Sequence, residues 1–390
     1  MRILTFSTLF PYQANLVHGV FVAERLRHLQ ASGQVDSCVV APIPWFFVAH
    51  PKLNPYVWQG KQALYREQMG GLDVWHPRYF LPPKVGMTLA PFLLAAGAVQ
   101  TLRAVRQGGF DFDLIDAHYF YPDGVAALML GQLFNKPVVI TARGSDLNQI
   151  PQYRLPCAMI RYAARRAAGL ITVSSALKAV LVDMGIASSR VTVLRNGVDL
   201  ERFMPVDRPL VRQRLGMTRT TFLSVGHLIE RKGHELIIRA LLGLPDVDLW
   251  IIGDGPMRDE LQKLAVDLGV VDRVRLIGVI SQEQLSHYYA ASDGLILASS
   301  REGWANVLLE AMACGTRVAA TNVWGAPEVI CAPEAGVLIG ERTPEAIAQA
   351  IRQLMQTPAD PMATRRYAEQ FSWEATTQGQ LQLFRRIIGS

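Results

Sequence analysis

Short apolar segments alternate with stretches of helical spacing along almost the whole chain. In the first half, apolar runs predict strands at Ile3–Ser7, Ser37–Ala41, Val74–Tyr79, Leu114–His118, Val138–Thr141, Leu170–Val173 and Val191–Leu194. A second series of strands is predicted at Phe222–Val225, Leu249–Ile252, Val274–Ile277, Gly294–Ala298, Arg317–Ala320 and Gly336–Ile339. Helical spacing lies between them, as at Val20–Ala31, Met257–Leu268 and Gln282–Ala290. This alternation predicts an α/β fold with parallel sheets flanked by helices.

Two series of strands predict two Rossmann-like domains, which suits a chain of 390 residues. The turn-prone group Asn196-Gly197-Val198-Asp199 separates the series, and the polar, Arg-rich stretch 199–220 is interpreted as a linker. We therefore expect domains at 1–200 and 201–370, followed by a terminal helix at about 371–390. Ligands of open α/β sheets bind outside the carboxyl ends of the strands, so a cleft between two such domains is the expected site.

Composition and charge narrow the possible partners. Half of the residues are hydrophobic and 18% are charged, which favours a large core over disorder. Residues 1–200 carry 19 Lys and Arg against 11 Asp and Glu, a net charge of +8, whereas residues 201–390 have a net charge of −2. The first half is therefore expected to face something anionic: a phospholipid surface, a pyrophosphate-linked lipid or nucleic acid. Nucleic acid is disfavoured because no helix-turn-helix, zinc or ribonucleoprotein signature is present.

Cysteine usage and the first residues predict a cytoplasmic protein. The four cysteines include no C-x-x-C pair, which argues against a zinc site or a disulfide framework and fits a reducing compartment. The first residues, Met1 to Ser7, have the pattern of a strand and lack the long apolar run and cleavage site of a signal peptide.

One segment raises the question of a membrane contact. Residues 85–102 contain no charged side chain, and three interpretations stay open: a buried helix, an interfacial or acceptor-groove helix, and a membrane span. The aromatic runs at 45–47 and 79–81 lie close to Lys and Arg residues in the sequence, as in membrane-interface contacts. The same aromatics could equally belong to an ordinary core.

Two glutamates eight positions apart, Glu302 and Glu310, flank a candidate anion site. Glu302 lies in a Gly-containing loop after a predicted strand, and Glu310 lies on the helix that follows. We expect Asn306 to be the N-cap, with the amides of Gly303 to Val307 directed outward at the positive end of that helix. Acidic residues beside such a site suit a ligand with phosphates and hydroxyls, such as a nucleotide sugar. Alternatively, Glu302 is a solvated loop residue and Glu310 is merely a first-turn glutamate that the helix dipole favours.

Two glycine-containing loops follow predicted strands of the second half. The loop Gly226 to Gly233 contains His227, Arg231 and Lys232, and adjacent cations in such a loop suit a diphosphate. It could also be a solvated basic loop. The run Gly253-Asp254-Gly255-Pro256 allows a sharp turn or a close approach of the backbone to a ligand. It is not a dinucleotide fingerprint, because Arg258 replaces the third glycine.

The segment Arg301 to Gly315 resembles the E-x7-E signature of the family-4 glycosyltransferases, which are retaining enzymes of the GT-B fold. Further similarities occur along most of the chain in family order: Asp116-Ala117-His118, Asn196-Gly197-Val198-Asp199, Gly226 to Gly233, Gly253-Asp254-Gly255-Pro256 and Gly325-Ala326-Pro327-Glu328-Val329. The resemblance implies two Rossmann-like domains facing each other across a cleft, with the last helix crossing back onto the first domain.

The resemblance also implies roles for individual residues. His118, Glu302 and Lys232 are the implied catalytic residues: His118 and Glu302 contact the sugar, and Lys232 binds the leaving phosphate. The implied donor-binding residues are Gly19, His227, Arg231, Gly253, Gly303, Asn306, Val307 and Glu310. Arg143 and Asp146 would bind the acceptor or a phosphate. His227 departs from the family pattern, because Arg usually stands at its position.

The implied activity is metal-independent, retaining transfer of a hexosyl group from a nucleoside diphosphate sugar, without a cofactor. No D-x-D metal motif stands in a suitable place, because Asp111-Phe112-Asp113 precedes a predicted strand instead of ending one. The expected acceptor is a lipid-linked saccharide in polysaccharide biosynthesis, and the expected location is the inner face of the plasma membrane, bound peripherally to its anionic surface. Two alternatives stay open: a sugar-nucleotide epimerase on the same fold, and a non-catalytic partner subunit.

Overall fold

The chain packs as two α/β units. The computed structural model describes residues 1–16, 18–47, 55–82, 86–357 and 360–389. The first unit comprises Met1–Arg195 with Glu374–Ser390, and the second comprises Asn196–Trp373. Each unit is built on a parallel sheet with helices, as the alternating pattern predicts.

The first unit contains an eight-stranded sheet and a separate two-stranded sheet. In chain order the strands are β1 (Arg2–Phe6), β2 (Asp36–Val40), β3 (Ile43–Trp45), β4 (Arg66–Met69), β5 (Leu72–Trp75), β6 (Arg78–Phe80), β7 (Leu114–His118), β8 (Val138–Ala142), β9 (Gly169–Thr172) and β10 (Val191–Val193). The large sheet has the order β10-β9-β8-β7-β1-β2-β5-β4, and β3 pairs with β6. All neighbours are parallel except β4, which is antiparallel to β5.

Helices cover this sheet and close its core. They are α1 (Val20–Ala31), α2 (Pro55–Gly60), α3 (Gly86–Gln107), α4 (Val125–Phe134), α5 (Ser145–Asn148), α6 (Arg154–Arg166), α7 (Ser175–Asp183) and α16 (Trp373–Ile388). From α16, Leu381 and Phe384 are fully buried in the same cluster as Ile3 and Val39. The end of the chain therefore completes the core of the first unit.

Helix α3 contains the uncharged segment singled out in the sequence; Val85 lies outside the described residues. Its length and composition would allow it to cross a membrane, although core helices of soluble proteins share these properties. One face, with Leu94, Ala98 and Leu102, is fully buried, whereas Phe92 is about half exposed. A one-sided burial of this kind is the arrangement of a helix packed on a domain.

The second unit contains a six-stranded parallel sheet. Its strands are β11 (Thr220–Val225), β12 (Val247–Ile252), β13 (Val274–Gly278), β14 (Gly294–Leu297), β15 (Val318–Thr321) and β16 (Gly336–Ile339), in the order β13-β12-β11-β14-β15-β16. Its helices are α8 (Arg208–Leu215), α9 (His234–Ala240), α10 (Arg258–Asp267), α11 (Gln282–Ala291), α12 (Asn306–Ala313), α13 (Ala326–Val329), α14 (Pro344–Gln356) and α15 (Pro361–Glu369).

Two predicted elements differ in the structure. The single strand expected at Val74–Tyr79 is wrong: β5 and β6 are separate strands in different sheets, with Pro77 between them, whose ring removes a backbone donor. The segment interpreted as a linker, 199–220, contains helix α8. The Asp207 side chain accepts a hydrogen bond from the Leu210 amide at 3.2 Å, and Gly216 ends the helix at a φ of 70°.

Candidate functional site

In the second unit, three loops that carry predicted site residues leave adjacent strands. The loops after β12, β11 and β14 begin at Gly253, Gly226 and Ala298, and β11 lies between the other two strands. Because parallel strands share one carboxyl edge, these loops lie side by side there. The sheet order thus brings together Lys232 and Glu302, which are 70 positions apart in sequence.

Lys232 and Glu302 form a largely buried ion pair. The Lys232 Nζ lies 2.6 Å from Glu302 Oε1, and the side chains are 15% and 9% exposed. The same carboxylate oxygen accepts a hydrogen bond from Ser299 Oγ at 2.6 Å. Burial alone would raise the pKa of Glu302, but the Lys232 charge outweighs it and the pKa is lowered. The interpretation of Glu302 as a solvated loop residue is therefore wrong.

The other two basic side chains of the Gly226–Gly233 loop, Arg231 and His227, contact backbone oxygens. Arg231 Nη1 donates to the Arg301 carbonyl at 3.1 Å, and the Ser300 amide donates to the Arg231 carbonyl at 2.8 Å. These bonds tie the loop to the segment that contains Glu302. His227 is exposed, and its Nδ1 lies 2.5 Å from the Asp254 carbonyl oxygen. That carbonyl can only accept, so His227 Nδ1 is the donor in this contact.

The glycines of the second unit allow close packing between the loops themselves. A Cβ on Gly253 would stand 2.0 Å from the Gly226 carbonyl oxygen, and the residue has a φ of 140°. A Cβ on Gly255 would lie 2.6 Å from the Leu228 carbonyl oxygen. At these two positions glycine allows the backbone of one loop to approach the backbone of another, which the sequence pattern did not predict.

Helix α12 begins one residue away from the expected cap. Asn306 is the first helical residue and Ala305 occupies the cap position, so the predicted N-cap is wrong. The Asn306 side-chain oxygen instead accepts a hydrogen bond from Asn196 Nδ2 at 3.2 Å. Within the described part of the chain, the amides of Gly303, Asn306 and Val307 donate to no other group. They form a concentration of unpaired donors at the positive end of a helix.

Glu310 lies on the next turn of α12, apart from the Lys232–Glu302 pair. Its Oε2 accepts a hydrogen bond from the Tyr289 hydroxyl at 3.0 Å. Tyr289 is fully buried, and its pKa is raised by burial and by the neighbouring carboxylate. The hydroxyl therefore stays protonated and can continue to donate to Glu310.

In the first unit, Gly19 takes a backbone conformation that favours glycine. It stands at the N-cap of α1 with a φ of 65°, and a Cβ there would lie 2.3 Å from the Leu9 carbonyl carbon. The loop between β1 and α1 is held by Asp123, whose Oδ2 accepts a hydrogen bond from Thr8 Oγ1 at 3.0 Å. Burial raises the pKa of Asp123 to about 7.

His118, Arg143 and Asp146 come together at the carboxyl ends of β7 and β8. Arg143 Nη2 lies 2.6 Å from His118 Nδ1, and Asp146 accepts hydrogen bonds from the Phe120, Arg143 and Gly144 amides at 2.7–3.1 Å. Asp146 thus shapes the loop that contains Arg143. His118 is 2% exposed, and burial lowers the pKa of its ring to about 4, so the ring is neutral at physiological pH.

Three further buried residues, Asp116, Gln380 and Arg25, form a chain of contacts that leads to His118, and none was predicted as a site residue. Asp116 Oδ2 lies 3.2 Å from His118 Nε2 and accepts a hydrogen bond from Gln380 Nε2 at 2.9 Å. Gln380 Oε1 accepts from Arg25 Nε at 3.0 Å. The spacing of Asp116 and His118 on one strand places both side chains on the same face of the sheet, a usable signal. No pattern in the sequence points to Gln380, which lies 264 positions from Asp116.

The acidic pair of Asp111-Phe112-Asp113 lies at the amino end of β7, as predicted, and is already paired. Asp111 Oδ1 lies 3.0 Å from Arg106 Nε and 3.2 Å from Lys136 Nζ. Asp113 Oδ2 accepts a hydrogen bond from the Arg2 amide at 2.8 Å. These contacts give the two carboxylates a structural role.

A cavity of about 580 Å³ opens in the first unit beside the β1–α1 loop. Its lining combines apolar side chains with a few polar groups: Thr8, Leu9, His18, Val57, Tyr79, Leu81, Pro82, Gly86, Met87, Ala90, Tyr119, Tyr121, Pro122 and Ile150. Its size and largely apolar lining are those of small-molecule sites in proteins. The sequence indicated the aromatic residues near 79–81 but not the cavity.

Comparison with known proteins decides the family. The model of glycosyltransferase family 4 matches residues 20–202, and the model of group 1 glycosyl transferases matches residues 208–371. D-inositol 3-phosphate glycosyltransferase 1 of Catenulispora acidiphila is 30% identical over 95% of this chain and 90% of its own. The chain belongs to glycosyltransferase family 4. It is also 28% identical to the putative teichuronic acid biosynthesis glycosyltransferase TuaC of Bacillus subtilis, over 90% of this chain and 88% of the relative.

Similarity to solved structures confirms the GT-B fold of this family member. Anabaena HepE, solved in complex with UDP-glucose, superimposes with a TM-score of 0.73 and 20% sequence identity. The similarity covers 98% of both chains. At this level of identity the likeness concerns the fold, and the chain's assignment as a glycosyltransferase rests on the family.

Proposed function

We propose that this glycosyltransferase transfers a hexosyl group from a nucleoside diphosphate sugar to a lipid-linked saccharide, without a metal ion and with retention of configuration. The observation that carries the proposal is the buried Lys232–Glu302 pair, held by Arg231 beside the loop that leads into α12. The amides of Gly303, Asn306 and Val307 have no other acceptor in the described chain. This set of groups offers cations and N–H donors to phosphates and a carboxylate to hydroxyls.

The pair suggests how a donor is recognised. In the structure each buried charge compensates the other, at an Nζ–Oε1 distance of 2.6 Å. A nucleoside diphosphate sugar can replace both partners at once, because its phosphates are anions for Lys232 and its sugar hydroxyls are donors for Glu302. Exchange of partners avoids leaving either charge buried and unpaired, which would be costly. The UDP-glucose complex of the structurally similar HepE supports a donor of this chemical class.

The proposed reaction breaks the bond between the anomeric carbon and the leaving phosphate oxygen. Negative charge grows on that phosphate, and Lys232, Arg231 and the three amides stabilise it. The acceptor hydroxyl attacks the same face of the sugar, and its proton passes to the leaving phosphate. The new glycosidic bond therefore keeps the anomeric configuration. Because the leaving phosphate serves as the base, no protein carboxylate is needed in that role.

The cavity in the first unit supports an acceptor with an apolar portion. Leu81, Met87, Ala90 and Ile150 line it, and a volume of about 580 Å³ accommodates a substantial hydrocarbon segment. The polar side chains in its lining would contact the saccharide end. We therefore assign the cavity to the lipid portion of the acceptor, the part that a free sugar would lack.

Exposed aromatic residues beside this region support peripheral membrane binding. Trp45 and Phe47 have ring centroids 4.7 Å apart and are 40% and 75% exposed. Phe80 packs against both, at 6.1 and 5.8 Å. Exposed aromatic rings suit the interface of a bilayer, and the net charge of +8 on residues 1–200 suits an anionic one. The proposed location is the cytoplasmic face of the plasma membrane.

A donor screen tests the proposal. Thermal stability and nucleoside diphosphate release are measured with UDP-, GDP-, ADP- and TDP-sugars, each with and without EDTA. We expect one donor to stabilise the protein and to be hydrolysed slowly in the absence of acceptor, at a rate that EDTA leaves unchanged. With a polyprenyl-pyrophosphate-linked saccharide as acceptor, NMR of the product should give the anomeric configuration of the donor.

Other outcomes identify the alternatives. Interconversion of nucleotide sugars without release of the diphosphate would indicate the epimerase. Absence of binding to every donor, with and without acceptor, would indicate a non-catalytic partner subunit. Inversion at the anomeric carbon, or loss of transfer in EDTA, would contradict the retaining or metal-independent part of the proposal.

A further inference from the structure

A buried polar network connects the C-terminal helix to His118 in the first unit. Gln380 of α16 donates from Nε2 to Asp116 Oδ2 at 2.9 Å and accepts from Arg25 Nε at 3.0 Å. All three side chains are 1% exposed. Arg25 also donates to the Leu194 carbonyl at 3.1 Å. A neutral amide therefore stands between two buried charges and forms one hydrogen bond with each of them.

The chemistry of its partners fixes the orientation of the Gln380 amide. A guanidinium can only donate and a carboxylate can only accept, so Oε1 must face Arg25 and Nε2 must face Asp116. Asp116 Oδ1 and Arg25 Nη2 are buried and have no hydrogen-bond partner in the described part of the chain. Gln380 thus supplies a bond to each of two groups that have few others.

The partners of His118 likewise fix its tautomer. Arg143 Nη2 lies 2.6 Å from His118 Nδ1 and can only donate, so Nδ1 accepts. The ring proton is then on Nε2, which lies 3.2 Å from Asp116 Oδ2 and donates to it. Burial lowers the pKa of His118 to about 4, so the ring is neutral at pH 7. With both nitrogens engaged, the imidazole has no site left for exchanging a proton with substrate.

The network ends at Arg143, the member with the greatest exposure. Arg143 is 8% exposed, against 2% for His118 and 1% for Asp116. Its guanidinium carbon lies 5.5 Å from the centre of the Phe21 ring, on α1. His118 Nδ1, which accepts the hydrogen bond, orients the Arg143 guanidinium. Arg143 follows β8, at the carboxyl edge of the sheet where ligands of this fold bind.

We propose that Gln380 is a positioning residue: it fixes Asp116, which keeps His118 in the Nε2–H tautomer, and His118 in turn holds the Arg143 guanidinium for an anionic group of the substrate. This inference rests on the proposed function, which supplies the anionic substrate. It assigns to the C-terminal helix a part in the site, reached through Asp116 and His118.

Substitution of Gln380 by Glu gives a sharp test. A protonated carboxyl can copy the amide, because its O–H donates to Asp116 and its C=O accepts from Arg25. An ionised carboxylate still accepts from Arg25 but repels Asp116 and cannot donate to it. The charged and titratable groups near this position are Asp116, Arg25, His118, Arg143 and, beyond them, Asp146. Q380E should therefore act like the wild type at acidic pH and lose the relay as pH rises.

The measurement is kcat/KM for the full-length protein between pH 5.5 and 8.5, with the most rapidly hydrolysed donor of the screen. We expect the ratio of Q380E to wild type to fall at least about tenfold across this range. The matched control is Q378E, because Gln378 lies on the same helix and is exposed. Its ratio should stay flat. Circular dichroism at each pH gives the folded fraction, and a Q380E ratio that is flat, or that only follows the folded fraction, overturns the proposal.

A second measurement needs no nucleotide-sugar donor. Nitrogen-15 NMR of histidine-labelled wild-type protein, with the His118 signals assigned by H118Q, should show a neutral Nε2–H ring at pH 7. An Nδ1–H ring or an imidazolium would overturn the inference. If the NMR shows the expected tautomer but the protein processes no nucleotide sugar, the hydrogen-bond relay from Gln380 to His118 is supported and the proposed function is contradicted. Failure of the relay and failure of the proposed function are therefore distinguishable.

Discussion

Lys232 and Glu302 neutralise each other across two neighbouring loops, with Nζ 2.6 Å from Oε1 and both side chains largely buried. Ser299 adds a second hydrogen bond to the same carboxylate oxygen. The residue implied to bind phosphate and the residue implied to bind sugar are thus paired with each other in the structure. A ligand that carries both an anion and hydroxyl donors is the kind that can separate them without leaving a buried charge unpaired.

Removal of one partner of this pair should cost more stability than removal of both. Because K232M leaves Glu302 buried without its cation, we expect the free energy of unfolding to drop by about 3–5 kcal/mol. The double variant K232M/E302Q should recover part of that loss. Urea titration of the single and double variants measures the coupling. Equal losses for single and double variants would contradict the pairing.

Loss of the Glu302 charge should impair catalysis. E302Q keeps the shape of the side chain but removes its charge, and we expect it to lower kcat by at least about a hundredfold, as loss of a preorganised transition-state contact does. E341Q is a suitable control, since Glu341 is exposed in the same unit. Turnover of E302Q within about threefold of the wild type would exclude Glu302 from the reaction.

A larger side chain in the cavity of the first unit should impair transfer to the acceptor without impairing hydrolysis of the donor. Ala90 lines the cavity, so A90F should reduce transfer to a lipid-linked saccharide by at least about tenfold and leave donor hydrolysis unchanged. Ala96 is exposed on the same helix, and A96F should leave both reactions unchanged. Radiolabel transfer and diphosphate release are measured in parallel. Unimpaired lipid-linked transfer by A90F would remove the cavity from the acceptor site.

The exposed aromatics should determine membrane binding. We expect W45S/F47S to reduce co-sedimentation with anionic phosphatidylglycerol vesicles at least about fivefold, because it removes two rings that are 40% and 75% exposed. L242S removes an equally apolar side chain, 59% exposed, from the second unit and serves as the control. Vesicle binding that is the same for both variants would place the membrane contact elsewhere.

Local patterns in the sequence predicted most elements of the fold. Helix Val20–Ala31 and strands Leu114–His118 and Gly336–Ile339 have the predicted bounds, since apolar periodicity is a property of each segment alone. The prediction of Asn306 as the N-cap was wrong: the Asn306 side chain is hydrogen-bonded to Asn196, 110 positions earlier in the sequence. Capping preference is local, whereas that partner is supplied by tertiary structure.

The candidate site shows the same division between local and long-range information. Lys232 and Glu302 could be selected by motif, but their contact depends on β11 and β14 being neighbours, which the order of elements along the chain does not specify. Gln380 could not be selected, because its role depends on a contact across 264 positions. Resemblance to a family identifies residues that match the family's motifs, such as His118. A buried hydrogen-bond relay that leads to such a residue is visible only in the three-dimensional structure.

His234 should give the second unit a defined sensitivity to acid. The ring is 1% exposed, its Nδ1 lies 2.9 Å from Ser224 Oγ, and burial with the nearby Lys232 lowers its pKa to about 4. The unfolded chain has a histidine pKa near 6.5. Between these values the unfolded state binds a proton that the folded state does not, so stability is lost as pH falls from about 6.5 towards 4.

The variant H234Q cannot take up this proton, so the penalty should disappear from it. At pH 5 the wild-type penalty amounts to about 2 kcal/mol, from about 1.5 pKa units at 1.36 kcal/mol each. The difference in unfolding free energy between H234Q and wild type should therefore shift by about 2 kcal/mol in favour of the variant between pH 7.5 and 5. Loss of the Ser224 contact adds a constant that cancels in this comparison. H287Q, which replaces an exposed histidine of the same unit, serves as the control. A pH-independent difference for H234Q would mean that the folded state accommodates the protonated ring.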